Sequence, residues 1–405
     1  MKPVVEIFSQ GEEVISGQTV DSNAAWLSQK LVQMGFTITR HTAVGDNLVD
    51  LQTLLQEIST RADVCICTGG LGPTIDDLTT QAVAEAFARP LELDDIALEQ
   101  ITQFFANRKR TMVDSNRKQA YFPAGAERID NAWGSAPGFS IQQQRCWFAF
   151  VPGVPFEMKG MFNEIIAEQL AQSFSLQADQ LVTLRTVGIG ESNIQEKLTD
   201  LSLPQNVQLS FRAGTDEVQT KLLFPANIEQ PLQSTTVQQV ADNIGDYVFA
   251  IDSSSKPQGG LVDIIAQLMQ QQNLTLSVME TAAQGLIAAK CLGQPWLLSA
   301  AFNQAFHTAT EPLSSVDRIN SAIKIAQKIQ GQDQADLVLV QSYHGSCAQF
   351  QNKADIITLT TLLLTPDEIR QSTHDIGGPA KRKQNQAAVL SLDLLRRYLQ
   401  HKTAI

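Results

Sequence analysis

The sequence predicts an α/β protein that opens with a parallel sheet covered by helices on both faces. Three observations predict it. The region before residue 175 alternates strand-like runs with segments of helical periodicity. The run Asp63-Val64-Cys65-Ile66-Cys67 is almost continuously apolar, as suits a strand buried on both faces. The texture then changes near residue 175, and again at Asp252-Ser253-Ser254-Ser255-Lys256-Pro257, a linker by composition.

Element by element, Val4 to Phe8 reads as the first strand. Asp21 or Ser22 can cap a helix through Ala24, Leu27, Leu31 and Met34, whose spacing gives one apolar stripe, and Gly35 ends it. Phe36 to His41 is the second strand and Leu48 to Ile58 the second helix, followed by the apolar run as the third strand. Trp147 to Val151 is a later strand leading through Pro152-Gly153-Val154-Pro155 into a helix from Phe156 to about Ser173. Beyond 175, Leu181 to Val187 is a strand and Glu191 to Leu198 a helix. Val207 to Phe211 and Val218 to Phe224 can pair as strands, and Leu232 to Ile244 is a helix. After the linker come a helix from Leu261 to Gln271, a strand from Leu274 to Val278 and a helix through Lys290. Strands near Leu337–Val340 and Ile357–Leu364 follow, with a final helix from about Gln384 to Leu399.

With 405 residues the chain has room for two or three domains of roughly 100–200 residues each. Hydrophobic residues make up 43% and charged residues 18%, ordinary for a globular protein and unlike a disordered one. The net charge of -12 repels phosphodiester backbones, which argues against nucleic-acid binding. No stretch approaches the ~20 apolar residues of a membrane helix, and the N-terminus lacks a signal-peptide pattern. Five cysteines without a CxxC pair suit a reducing, cytoplasmic setting. Cys65 and Cys67 share a strand face, and read as small buried apolar residues more readily than as metal ligands.

Ligands of parallel sheets bind beyond the carboxyl ends of the strands. That rule selects the loops after Phe8, His41 and Cys67. The third carries Gly69-Gly70-Leu71-Gly72-Pro73-Thr74-Ile75-Asp76-Asp77. Glycines at 69, 70 and 72 let backbone N–H groups approach a phosphate with no Cβ in the way. A helix starting near Asp76-Asp77 would favour anions, yet two carboxylates there oppose bare phosphate. Both acids therefore read either as helix caps or as groups that share a divalent cation with phosphate.

Together, Gly11-Glu12-Glu13-Val14, Gly17 to Asn23, Val44-Gly45-Asp46-Asn47, the Gly69–Thr79 segment, Asn116-Arg117-Lys118-Gln119-Ala120 and Pro152-Gly153-Val154-Pro155 resemble the CinA family. The likeness covers residues 1–170 strongly and continues through Val187 to Ser192. It implies a three-layer α/β/α molybdopterin-binding-like domain over 1–174, a small α+β domain over 175–252 and a CinA-type α/β domain over 257–402. It also implies metal-dependent hydrolysis of ADP-ribose to AMP and ribose 5-phosphate, in a homodimer. Asp46 and Asp77 match two acidic positions that matter in related molybdopterin proteins. On that reading Asp46, Asp76 and Asp77 hold Mg, Mn or Co ions. Glu12, or else Glu13, is a candidate base, with a plain polar turn as its alternative. Gly69, Gly70, Gly72, Thr74, Asn23 and Lys118 would contact the nucleotide, Lys118 having an exposed surface lysine as its alternative. Two further readings are a non-catalytic nucleotide-binding protein and, on fold analogy alone, molybdopterin handling.

The last segment resembles the family's amidohydrolase domain, which acts on nicotinamide mononucleotide, more faintly. The family's Glu-Ser-Cys-Thr-Gly-Gly stands here as Glu280-Thr281-Ala282-Ala283-Gln284-Gly285, placing Thr281 where the serine nucleophile belongs. Its Tyr- and Lys-bearing stretch is replaced by Ala301-Phe302-Asn303-Gln304-Ala305-Phe306, and its Thr-Gly-Ile-Ala-Gly-Pro by Gln341-Ser342-Tyr343-His344-Gly345-Ser346. A nucleophile without its activating base is weak, so these departures imply a retained fold with lost deamidase chemistry, an active Thr281 being the alternative.

Overall fold

A computed structural model describes residues 3–253, 257–303 and 315–403. Ser254–Lys256 of the expected linker and Gln304–Phe306 lie outside these residues. The chain divides into two compact units, Met1–Asp179 and Gln180–Ile405.

The first unit is built on a sheet of β1 (Val4–Gln10), β2 (Thr37–Val44), β3 (Val64–Thr68), β6 (Glu127–Ile129), β7 (Gly138–Gln143) and β8 (Cys146–Val151), ordered β2-β1-β3-β8-β7-β6. The first four in that order run parallel; β7 and β6 are antiparallel additions. The short β4 (Leu91–Leu93) and β5 (Tyr121–Pro123) pair separately. The helices are α1 (Glu12–Ile15), α2 (Ser22–Gln33), α3 (Leu48–Arg61), α4 (Thr79–Ala86), α5 (Asp95–Asn107), α6 (Pro155–Met161) and α7 (Ala167–Ser173); a π-helical turn over Phe162–Ile166 joins the last two.

Alternation along β1 sorts the two faces. Val5 and Ile7 pack with Leu27 and Leu31 of α2 and with Met158 and Met161 of α6. Phe8 joins Leu51, Leu55 and Ile58 of α3 and Val83 of α4 in a second core. The sheet is thus a middle layer between two helical layers, as expected. Each fully buried leucine contributes about 1.5–3 kcal/mol. Asp21 caps α2 by accepting from the Ala24 N–H, and Asn47 caps α3 by accepting from Val49 and Asp50. Cys65 and Cys67 are fully buried beside each other, and burial raises both thiol pKa values. They act as core residues.

The second unit holds two sheets. The first is antiparallel, ordered β10-β11-β9-β12, from β9 (Gln180–Thr186), β10 (Gln208–Ala213), β11 (Val218–Phe224) and β12 (Val248–Ser253). Leu184, Leu222 and Phe224 pack there with Ile194 of α8 (Glu191–Lys197) and with Val240 and Ile244 of α9 (Gln230–Ile244). Asp252 and Ser253, expected in a linker, end β12; the Asp252 carboxylate accepts from Arg185 on the neighbouring strand.

The second sheet orders β14-β13-β15-β16-β17, from β13 (Leu276–Glu280), β14 (Leu297–Phe302), β15 (Leu337–His344), β16 (Ile357–Leu364) and β17 (Ile369–Ile376). Its helices are α10 (Leu261–Gln272), α11 (Leu286–Lys290), α12 (Ser315–Asp333), α13 (Cys347–Gln351) and α14 (Ala380–Leu399). One face packs on α10, α11 and α14 through Ile265, Ile287 and Leu392, the other on Ala322 and Ala326 of α12. The two expected later domains, 175–252 and 257–402, both fall largely within this unit, each with its own sheet.

Candidate functional site

Parallel register brings four loops to one edge of the first sheet. Gln10 pairs with Val44, Ser9 with Thr68, and Thr68 with Val151. The chain leaving β1, β2, β3 and β8 therefore emerges side by side. Gly69 N–H donates to the Val151 carbonyl at 3.0 Å, and Gly11 N–H to Val44 at 3.1 Å.

The glycine loop needs its glycines. Gly69 and Gly70 have φ of 99° and 68°, and a Cβ on either would strike Gln10. Gly153 lies alongside under no such constraint: a Cβ there would stand 3.4 Å from the Gly69 Cα, in ordinary contact.

Gln10 is the hub of this edge. Its side chain is buried, and Nε2 donates to Asp46 Oδ1 at 2.8 Å and to the Asp76 carbonyl at 3.3 Å. Its Oε1 lies against Thr79 Oγ1, which also reaches the Gly69 carbonyl at 2.9 Å. One amide thus ties the loop after β2 to the loop after β3. Among the described residues Asp46 Oδ2 receives only a long 3.4 Å contact from the Glu12 N–H. Among the described residues the Glu12 carboxylate accepts no hydrogen bond, although its main chain sits beside Asp46.

Asp76 and Asp77 do not cap a helix. The helix begins at Thr79, its N-cap is Leu78, and no side chain caps it. Asp77 instead folds back: Oδ2 accepts from the Thr74 N–H at 2.8 Å and from the Thr74 hydroxyl at 2.6 Å. Lys118 is no free surface lysine either. Its Nζ donates to the carbonyls of Thr74 at 2.9 Å and Asp77 at 2.6 Å, clamping the far side of the same turn. Gln119 donates to the Leu71 carbonyl. The Asp76 carboxylate is exposed and has no hydrogen-bond partner among the described residues.

Asn23, in the first turn of α2, donates from Nδ2 to the Gly153 carbonyl at 2.8 Å. That contact fixes the amide orientation and leaves Oδ1 buried without a partner among the described residues. A buried acceptor left open next to Gly153 and Gly69 is the feature of this edge most suited to a ligand's N–H or O–H group.

The expected residues thus form three linked groups: Asp46 with Gln10 and the Gly69-Gly70 pair, Thr74 and Asp77 with Lys118, and Asn23 with Gly153. Gly72 sits beside the Asp77 carboxylate. Sequence reasoning missed Gln10, Thr79 and Gly153 as contributors; a polar residue closing an apolar strand just before Gly11 was the available signal for the first. Among the described residues no group of three or more His, Cys, Asp or Glu side chains is placed to hold a metal ion. The expected trio of Asp46, Asp76 and Asp77 is therefore not a preformed cage.

In the second unit, Glu280 is buried and its carboxylate accepts from the N–H groups of Gly285, Ile287 and Ala288 at 2.9, 3.1 and 2.9 Å. Burial raises its pKa despite the opposing pull of these bonds. Thr281 is 2% exposed, and its hydroxyl has no hydrogen-bond partner among the described residues, so none of them is a base in contact to activate it. Ser346 caps α13 by accepting from the Gln349 N–H.

A mostly parallel sheet with a glycine turn after its third strand and an acidic loop after its second defines the first unit as a molybdopterin-binding-like α/β domain. The family profile described as a probable molybdopterin binding domain matches residues 6–172, and that of the damage-inducible protein CinA KH domain matches 182–250. CinA-like proteins of two Escherichia coli strains, SMS-3-5 / SECEC and HS, are 40% identical over 287 residues, 70% of this chain and 70% of each relative. Among solved structures, CinA of Thermoplasma acidophilum, described as of unknown function, shares 27% identity over 41% of this chain and 98% of its own, with a TM-score of 0.39. The molybdopterin biosynthesis enzyme MoaB of Thermus thermophilus shares 17% over 42% and 93%, with a TM-score of 0.30. The chain belongs to the CinA-like protein family.

Proposed function

We propose that the first unit binds an ADP-ribose-like nucleotide at the β1-β2-β3-β8 edge and hydrolyses its pyrophosphate. Water adds to one phosphorus, the bridging P–O bond breaks, and AMP and ribose 5-phosphate leave with the water's atoms shared between them. The observation that supports this reading is the Gly69-Gly70 turn, packed on Gln10 and tied through its amide to the Asp46 carboxylate at the sheet edge. The open Oδ1 of Asn23 supports a ligand donor on the neighbouring side.

The donor set fits a hard divalent ion of the Mg, Mn or Co kind. Asp46 Oδ2, the Asp76 carboxylate and Asp77 Oδ1 keep lone pairs free. One or two of these carboxylates together with substrate phosphate oxygens make an ordinary site for such an ion. When bound, the ion would neutralise pyrophosphate charge and acidify water. The chain's own part is to orient Asp46 through Gln10 and to hold the glycine turn with Lys118 and Asp77. Glu12, beside Asp46, is the candidate proton acceptor.

The turn-closing bonds of Asp77 favour a second reading, a nucleotide-binding protein without turnover, since one Asp77 oxygen is already engaged. Thr281, lacking a base, leaves the second unit without deamidase activity on this reading. The purified chain is incubated with ADP-ribose and separately with nicotinamide mononucleotide, each with Mg, Mn or Co, and products are separated by chromatography. AMP from the first and nothing from the second is expected. Binding of ADP-ribose without AMP under any ion would leave the non-catalytic reading, and a deamidated mononucleotide would overturn the inactive Thr281.

A further inference from the structure

Helix α14 lays a graded stripe along one wall of a cavity in the second unit. Lys381 and Arg382 stand in its first turn, Asn385 and Gln386 in the second, and Val389 and Leu390 in the third. All six line the same cavity of about 810 Å³, within the usual range for small-ligand clefts. The stripe runs from cation through amide to apolar side chain over about 12 Å of helix. The facing wall is the turn over residues 188–191 and the hairpin turn between β10 and β11, and β17 contributes His374. Asn385 ties that hairpin to α14, donating to the Thr215 carbonyl at 2.8 Å and to Asp216 at 2.9 Å, while Lys290 holds the other Asp216 oxygen at 2.7 Å. At the apolar end the walls meet: Gly188, at φ of 76°, has no side chain, and a Cβ there would stand 3.7 Å from Leu390.

The walls are fixed, yet polar groups along them are left unused. Gln386 Oε1 is buried with no hydrogen-bond partner among the described residues, an arrangement that costs free energy unless something fills it. Lys381, Arg382 and His374 form no side-chain hydrogen bond or ion pair among the described residues. The acids nearby do not neutralise the two cations: Asp216 and Glu217 are paired with Lys290 and Arg185, and Asp375 accepts from the Thr358 hydroxyl. Glu191, on the facing turn, is a free acceptor for hydroxyl groups. Burial, with Arg397 adding to it and Asp393 opposing, holds His374 below its ordinary pKa, so its ring is neutral with one donor and one acceptor nitrogen. We propose that this cavity binds a nucleoside monophosphate, with its phosphate on Lys381 and Arg382, its sugar hydroxyls at Gln386 and Glu191, and its base against Val389, Leu390 and the bare Gly188 backbone. Inorganic phosphate would fill only one end of the stripe and an uncharged ring only the other. The site belongs to the second unit, apart from the Thr281 loop, and does not depend on the chemistry proposed for the first unit.

Hydrogen exchange on the full-length chain is followed with AMP as the probe, no divalent ion added, and with adenosine and inorganic phosphate as controls. AMP should slow exchange over residues 187–191 and the first three turns of α14. Adenosine or phosphate alone should need roughly 10-fold higher concentration or more, as for one to two lost charge-assisted hydrogen bonds. No slowing there at millimolar AMP would overturn the inference. Slowing confined to residues 69–79 would overturn it while leaving the reading of the first unit intact. Adenosine acting as well as AMP would remove the phosphate end. Lys381→Glu with Arg382→Glu, both at exposed positions, should melt like the parent and weaken AMP by about 10-fold. Gln386→Leu should melt no lower than the parent, because it removes a buried oxygen that has no partner, and should still weaken AMP. A lowered melt in Gln386→Leu, or AMP binding unchanged in both variants, would overturn the site.

Discussion

Replacing Gln10 by alanine should loosen the whole edge of the first sheet. The change removes a hydrogen bond to the half-buried Asp46 carboxylate, one to the Asp76 carbonyl, and the contact with the Thr79 hydroxyl. A net hydrogen bond contributes about 0.5–1.5 kcal/mol, and one to a charged group about 1.5–3. Partial exposure of Asp46 and the Gly69 carbonyl still open to Thr79 reduce the sum, to a loss of about 2–3 kcal/mol. Urea unfolding followed by tryptophan fluorescence reads it, because Trp26, Trp133 and Trp147 lie in the first unit and only Trp296 in the second. Asp46→Asn is the companion variant: it keeps an oxygen for Gln10 and should cost under about 1 kcal/mol. Equal stability for Gln10→Ala and the unsubstituted chain would refute the hub role of Gln10.

Gly70→Ala combines a left-handed backbone cost of about 1–2 kcal/mol with a collision against Gln10, so calorimetry should find ADP-ribose binding abolished. Lys118→Met removes two clamps from the turn and should weaken ADP-ribose by about 10-fold, roughly one to two lost hydrogen bonds, in the same titration. Burial raises the Asp94 pKa, but the Ala97 N–H and the Arg128 guanidinium outweigh it and hold the carboxyl below its usual value. Its stabilising effect is therefore complete above the unfolded pKa of ~3.9 and disappears as pH falls through the lower folded value; Asp94→Asn should flatten this acid-side decline in melts between pH 5 and pH 2. Light scattering at micromolar concentration should give the mass of two chains rather than the 44.3 kDa of one; a single-chain peak would contradict the homodimer.

The frame of the first unit was legible because burial writes itself into pattern. Val64 to Cys67 is apolar on both faces, and Leu51, Leu55 and Ile58 repeat at helical spacing over the same sheet. The glycine turn was legible for the same local reason. Contacts between distant residues were not. Gln10 and Asp46 are far apart in sequence, and nothing local announces that the amide of one meets the carboxylate of the other. Asp76 and Asp77 suggested a helix start, yet a turn closed by Asp77 on Thr74 delays the helix to Thr79. The edge strand β17, Ile369–Ile376, is largely polar and half exposed, so it lacks the apolar run that marks a strand. The end of β12 read as linker because Asp252 and Ser253 are turn-forming by composition, while Arg185 holds Asp252 in the sheet.

The most direct test of the central claim compares AMP release from ADP-ribose by the unsubstituted chain and by Asp46→Asn under the same divalent ion. The account predicts AMP and ribose 5-phosphate in equal amounts from the first, and a rate lower by about 100-fold or more, near 2.7 kcal/mol, from a variant that melts like its parent. Equal rates from the two, or no AMP from the unsubstituted chain, would contradict it.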